Sequence, residues 1–157
     1  MDNEKKIEIF NSLIVINNDR IEGYKSATSE AKETDLKMLF ADLVQTSVEN
    51  RKELVEAVKE LGGTPDEGTR ITGKFFRVWM DMKAAFSGSD RKVILDSCEY
   101  GEDAILDTYK KVSFENPELN DSDVEMIVKK HYTLLKADHD KVKKLRDVIA
   151  NEKNEEH

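Results

Sequence analysis

Glu102 is the residue from which the chemistry of this chain can be argued. It lies in a stretch, Asp90 to Val112, whose apolar residues recur every three or four positions: Ile94 and Leu95, Cys98, Gly101, Ile105, Tyr109 and Val112. That spacing predicts a helix with one buried face, and it sets Glu102 on that face or at its edge. A carboxylate there is costly unless a metal, a cation or several hydrogen bonds satisfy it. The same reading of the other segments puts Asn17, Ser47, Asn50, Cys98 and His131 at inward positions. An inward carboxylate and an inward imidazole on long helices are the start of a metal centre. Glu102 and His131 are therefore the candidate ligands, for iron or another divalent metal.

The ligand count argues against a full di-metal centre. Such a site takes one Glu from each of two helices and a Glu-x-x-His pair from each of the other two. No Glu-x-x-His occurs in the chain; the nearest offerings in the last helix are Val128-Lys-Lys-His131 and Lys136-Ala-Asp-His139. His131 then reads as a hydrogen-bonded core histidine, and Glu102 as half of a buried pair with His131 or a lysine. Cys98 reads as a small apolar filler, since no cation adjacent in sequence lowers its pKa. Asn17 could specify helix register, as polar residues at inward positions can. With three histidines, one at the very end, no Ser/His/Asp or Cys/His arrangement can be built. GGTPDEG lacks the Lys and the helix of a phosphate loop. The residues imply no cofactor beyond that metal, and the missing ligands argue against an enzyme.

Five segments must position these residues. Glu4 to about Ala31 carries Ile7, Phe10, Leu13, Ile14, Ile21, Tyr24 and Ala27 on one stripe. Thr34 is the expected N-cap of a second helix, which ends at the C-cap pair Gly62-Gly63 with Pro65 beyond. The short link between the two predicts an antiparallel hairpin. Lys74 to Phe86 predicts a short helix with Phe75, Trp79, Met82 and Phe86 on its stripe. Ser89 and Asp90 cap the Glu102 helix, which Asn116-Pro117 breaks. Asn120 or Asp121 then caps a last long helix through His131, Leu135, Asp138, Val142 and Ile149. Two hairpins joined by one long crossover is the arrangement of ferritin-like folds. The expected architecture is thus all-α: a ferritin-like four-helix bundle with a short extra helix in the crossover. Residues 1–150 form a single domain and 151–157 a polar tail that frays.

Composition narrows the function classes. Charged residues make up 37% of the 157, with only two prolines and seven glycines, which suits long amphipathic helices better than a turn-rich sheet protein. A net charge of −8 argues against nucleic acid as a partner, because phosphate needs a basic face. The one basic run, Lys141 to Arg146, sits among acidic residues and reads as a solvated helix face. One cysteine leaves no intramolecular disulfide and no cysteine zinc cluster. The opening MDNEKKIEIF is too charged for a signal peptide, and no apolar run has the length of a membrane span. A soluble, cytoplasmic protein is expected.

Motifs in order carry a resemblance. Leu61-Gly62-Gly63, Trp79-Met80-Asp81-Met82-Lys83, Cys98-Glu99-Tyr100-Gly101-Glu102-Asp103, His139-Asp140 and Leu145-Arg146-Asp147 resemble a bacterial four-helix-bundle family of unknown function in the ferritin-like superfamily. The resemblance runs from about residue 10 to 147. It implies the ferritin-like bundle, a bacterial source and a cytoplasmic protein, without an established activity. Ferritin-like relatives carry an acidic residue in the first helix to match Glu102. Aligning IEGYKSA with GEDAILD puts Ile21 there, unless Glu22 rotates in. The expected function is a bundle with a degenerate metal site, a stress-related or interaction protein; the alternative is a metal-binding or di-iron oxidoreductase. The Phe75, Trp79, Met82 and Phe86 stripe is a possible self-association face, predicting a homodimer.

Overall fold

The computed structural model describes residues 2–68, 74–88, 90–117 and 123–155, and their side chains except at 74–79, 82 and 149–155. These residues form five helices: α1 (Asn3–Glu30), α2 (Thr34–Glu60), α3 (Lys74–Gly88), α4 (Arg91–Glu115) and α5 (Asp123–Glu155). The described residues contain no strand. The fold is all-α, a helical bundle with α3 in the connection between the second and third long helices. α5 continues to Glu155, into the stretch read from the sequence as a polar tail.

Cross-helix bonds give the register. Asn11 reaches the Thr64 carbonyl, Arg51 the Asn18 side chain and Arg20 Ser47, so α1 and α2 run antiparallel. Asp103 meets His139 and Tyr109 meets His131, so α4 and α5 do the same. The bonds from Arg20 to Glu102 and from Asn17 to Tyr109 set α1 antiparallel to α4 as well.

Helix ends follow local chemistry. Asp2 caps α1 by accepting from the Lys5 amide at 2.8 Å, and Asp90 caps α4 by accepting from the Lys92 and Val93 amides. In α2 the first helical residue is Thr34, and the capping position belongs to Glu33, which makes no side-chain cap. Glu33 and Asp35 bind Arg91 instead, tying the α1–α2 turn to the start of α4. Hydrogen bonding to Asp35 raises the Arg91 pKa, and the same bond holds the Asp35 carboxyl low. Asn120 and Asp121, the expected caps of α5, lie outside the described residues. α2 ends in a Schellman turn: the Gly63 amide donates to the Val58 carbonyl and the Gly62 amide to Lys59, with Gly62 at φ 80°.

The apolar core comes in two blocks. One, around Tyr24, Phe40, Leu43, Leu95 and Val142, includes Ala85 of α3, with Phe86 against it. The other surrounds Phe10, Leu13, Leu54, Ile105, Tyr109 and Leu135. Between them lies a buried polar layer of Asn17, Arg20, Ser47, Asn50, Glu102 and Asp138. All four long helices contribute to it.

Candidate functional site

Arg20 stands at the centre of this layer with 0% of its surface exposed. A guanidinium has five N–H donors, and here each has an acceptor. Nε donates to Glu102 Oε2 at 3.0 Å and one Nη2 hydrogen to Glu102 Oε1, a bidentate pair. The other Nη2 hydrogen goes to Asp138 Oδ2 at 3.0 Å. Nη1 serves the Leu43 carbonyl at 2.7 Å and Ser47 Oγ at 2.9 Å. One side chain from α1 thereby joins α2, α4 and α5. Two carboxylates against one guanidinium leave an excess negative charge, and Lys141 Nζ lies 3.7 Å from Asp138 Oδ1 to offset it.

Burial works against the charged guanidinium, but Glu102, with further help from Asp138, outweighs it and raises the Arg20 pKa. The same environment keeps its neighbours protonated. Burial, and then Glu102, push the Tyr24 hydroxyl and the Cys98 thiol well up. Cys98 is therefore a thiol rather than a thiolate, with little nucleophilic character.

A second chain of polar contacts runs from the core towards the surface. Asn17 Nδ2 donates to the Leu13 carbonyl and to the Tyr109 hydroxyl, both at 2.9 Å. Tyr109 Oη lies 3.3 Å from His131 Nδ1. His131 Nε2 lies 3.1 Å from Glu53 Oε1, and Lys130 bonds the other Glu53 oxygen. Burial lowers the His131 pKa, and Glu53 only partly offsets this, so the ring is neutral near neutral pH. Glu53 itself is held low: Lys130 and His131 together outweigh its partial burial.

Glu102 and His131 are both buried, but in different networks. The expected pairing of the two is replaced by Arg20 for Glu102 and by Tyr109 and Glu53 for His131. Ser47 joins the Arg20 network, Asn17 the His131 network, and Cys98 sits in the apolar block one turn from Glu102. Asn50 is buried in the same layer, and its Nδ2, like Asn17 Oδ1, has no hydrogen-bond partner among the described atoms. Ile21 is buried and Glu22 exposed, so Glu22 does not turn inward at the position aligned with Glu102; Asp19, next to Arg20, is the buried carboxylate of α1.

Of the α3 stripe, the side chains of Phe75, Trp79 and Met82 lie outside the described ones. Phe86 is half-buried, edge-on to Phe40 with ring centroids 6.0 Å apart. It packs on its own bundle and lends no support to a dimer. An open groove of about 700 Å³ lies between α4 and α5, with Tyr109, Lys110, Phe114, Val128 and Tyr132 in its wall.

Arg20 is the residue of this layer that the apolar stripe conceals. It follows Asn17 by three positions and precedes Tyr24 by four, so helical spacing alone puts it on the inward face. The habit of reading arginine as surface hides it, since arginine is almost never fully buried unless paired.

Residues 5–115 match the family described as Domain of unknown function (DUF2383). The match spans well over half of the chain, and the chain belongs to that family. Among curated proteins no relative matches. No described helix is long and apolar enough to cross a membrane.

Proposed function

We propose that this chain is a ferritin-like bundle in which the Arg20 guanidinium takes the central cationic place. It serves as a structural or interaction protein rather than as a di-iron oxidoreductase. The observation that carries this reading is the saturation of Arg20. Both Glu102 oxygens and one Asp138 oxygen are committed to a cation that cannot be deprotonated in a protein. Two ferrous ions would bring four positive charges into this layer. Admitting them would require displacing Arg20, which is wholly buried, and breaking its bonds to Glu102, Asp138, Ser47 and the Leu43 carbonyl. The donor set does not fit a di-iron centre. A bacterial, cytoplasmic setting belongs to the same reading and rests on the resemblance of the motif run.

The test is the iron content of protein purified from iron-supplemented cells, with ferrous oxidation measured on the same sample. No stoichiometric di-iron and no ferroxidase activity are expected. Two irons per chain that disappear in Glu102→Gln would overturn the reading and move the protein to the enzymes.

A further inference from the structure

Glu102 and Asp138 turn inward to Arg20, and the residue after each turns the other way. Asp103 and His139 meet at the outer seam of α4 and α5, with His139 Nε2 2.7 Å from Asp103 Oδ1. Glu99, one turn before Asp103 on α4, brings a third ligand group. The nearest donor atoms of Glu99, Asp103 and His139 all lie within 4.8 Å of one another. We propose that these three side chains form a binding site for one divalent transition-metal ion, with zinc as the cation that suits them best.

Three features support the assignment. The ligand set is one imidazole nitrogen and two carboxylate oxygens, the borderline donors that zinc accepts, and three protein ligands leave a fourth position for water. Two carboxylates also balance the charge of one dication. Tetrahedral zinc with bonds of about 2 Å holds its ligand atoms ~3.3 Å apart. The His139–Asp103 contact would open slightly and Glu99 would close in, movements that side-chain rotation can supply. The histidine is oriented from behind. Its Nδ1 lies 3.1 Å from Asp140 Oδ1, so Nδ1–H can donate to that carboxylate, while Nε2, which faces Asp103, gives up its proton to solvent when the metal takes its place. With its side chain only 9% exposed, the ring has little freedom to turn away.

Arg146 is the built-in competitor. Its guanidinium bonds Glu99 Oε2, and Asp147 at 3.1 Å and Asp96 at 3.9 Å offer it other places. Metal binding exchanges Arg146 for the cation at Glu99. The site stands apart from the Arg20 layer, so it does not depend on what occupies that centre.

The experiment is calorimetric titration of zinc chloride into the tag-free full chain, with long-range proton–nitrogen spectra of the three histidines. One zinc per chain is expected, with the His139 ring resonances moving and those of His131 unchanged. Asp103 is more than half exposed, so Asp103→Asn keeps the fold while weakening binding tenfold or more. Asp140→Asn should weaken it roughly 10- to 100-fold, as loss of an orienting partner does. Arg146→Gln should tighten it. Glu102→Gln should leave zinc binding intact, which separates this proposal from the iron test. Absence of saturable binding would overturn the site. So would binding that moves only His157, or weaker binding in Arg146→Gln.

Discussion

Replacing Arg20 with leucine removes the partner of two buried carboxylates while keeping most of the side-chain bulk. The loss of stability should be about 3–5 kcal/mol, the range for breaking a buried ion pair from one side. Glu102→Gln should cost less, about 2 kcal/mol, because Asp138 still balances the guanidinium and only charge-assisted bonds are lost. Urea denaturation of both variants checks the ranking; an Arg20→Leu protein as stable as Glu102→Gln would contradict it. His131 supplies a pH dependence at the same scale. Its folded pKa lies below the ordinary 6.5, so on acidification the unfolded chain takes up the proton first. Stability should fall as pH drops below about 6.5 and level off beneath the folded value. The groups facing the ring are Tyr109 of α4, Glu53 of α2 and Lys130 of α5. Glu53 is depressed from its ordinary 4.5, so its contribution is lost only below that pH. Melting curves between pH 5 and 7 should therefore lose much of their slope in His131→Gln.

Among the elements, α2 shows most directly how a few residues set a helix end. Gly62 adopts a left-handed φ of 80°, and a Cβ there would meet open space, so its cost is backbone strain alone. Gly62→Ala should destabilise by about 1 kcal/mol. Gly63 is limited by packing instead, since a Cβ would press to 2.8 Å from the Ile7 side chain. Gly63→Ala should therefore be relieved by Ile7→Ala, which removes all three crowding carbons, whereas Gly62→Ala should not. Thermal melts of the two double variants distinguish strain from crowding. The α3 helix, which composition leaves open to a partner role, turns Ala85 and Phe86 towards the Phe40 block.

At the level of the whole molecule, the polar layer couples the two hairpins. Apolar packing alone would let the α1–α2 and α4–α5 pairs slide in register, because Leu and Ile contacts are tolerant of small shifts. Five directed bonds from one guanidinium are not. The chain should therefore unfold in one cooperative transition, with calorimetric and van't Hoff enthalpies equal. Two separable transitions in wild type would show that the hairpins are independent. In Arg20→Leu the transition should broaden, since the layer then favours no single register.

Helix number, the antiparallel first hairpin and the Gly62-Gly63 stop were legible in the sequence, because periodicity and capping act over a few residues and need no tertiary information. The inward positions of Asn17, Ser47, Asn50, Cys98, Glu102 and His131 were legible for the same reason: spacing determines which face a residue occupies. Partners were not. Glu102 and Arg20 are 82 residues apart and Arg20 and Asp138 are 118 apart, so only the packing of three helices could bring them together. The sequence by itself determined that a carboxylate would be buried and must be satisfied. The tertiary structure decided that a guanidinium satisfies it, because Arg20 reaches the centre with five donors directed at α2, α4 and α5.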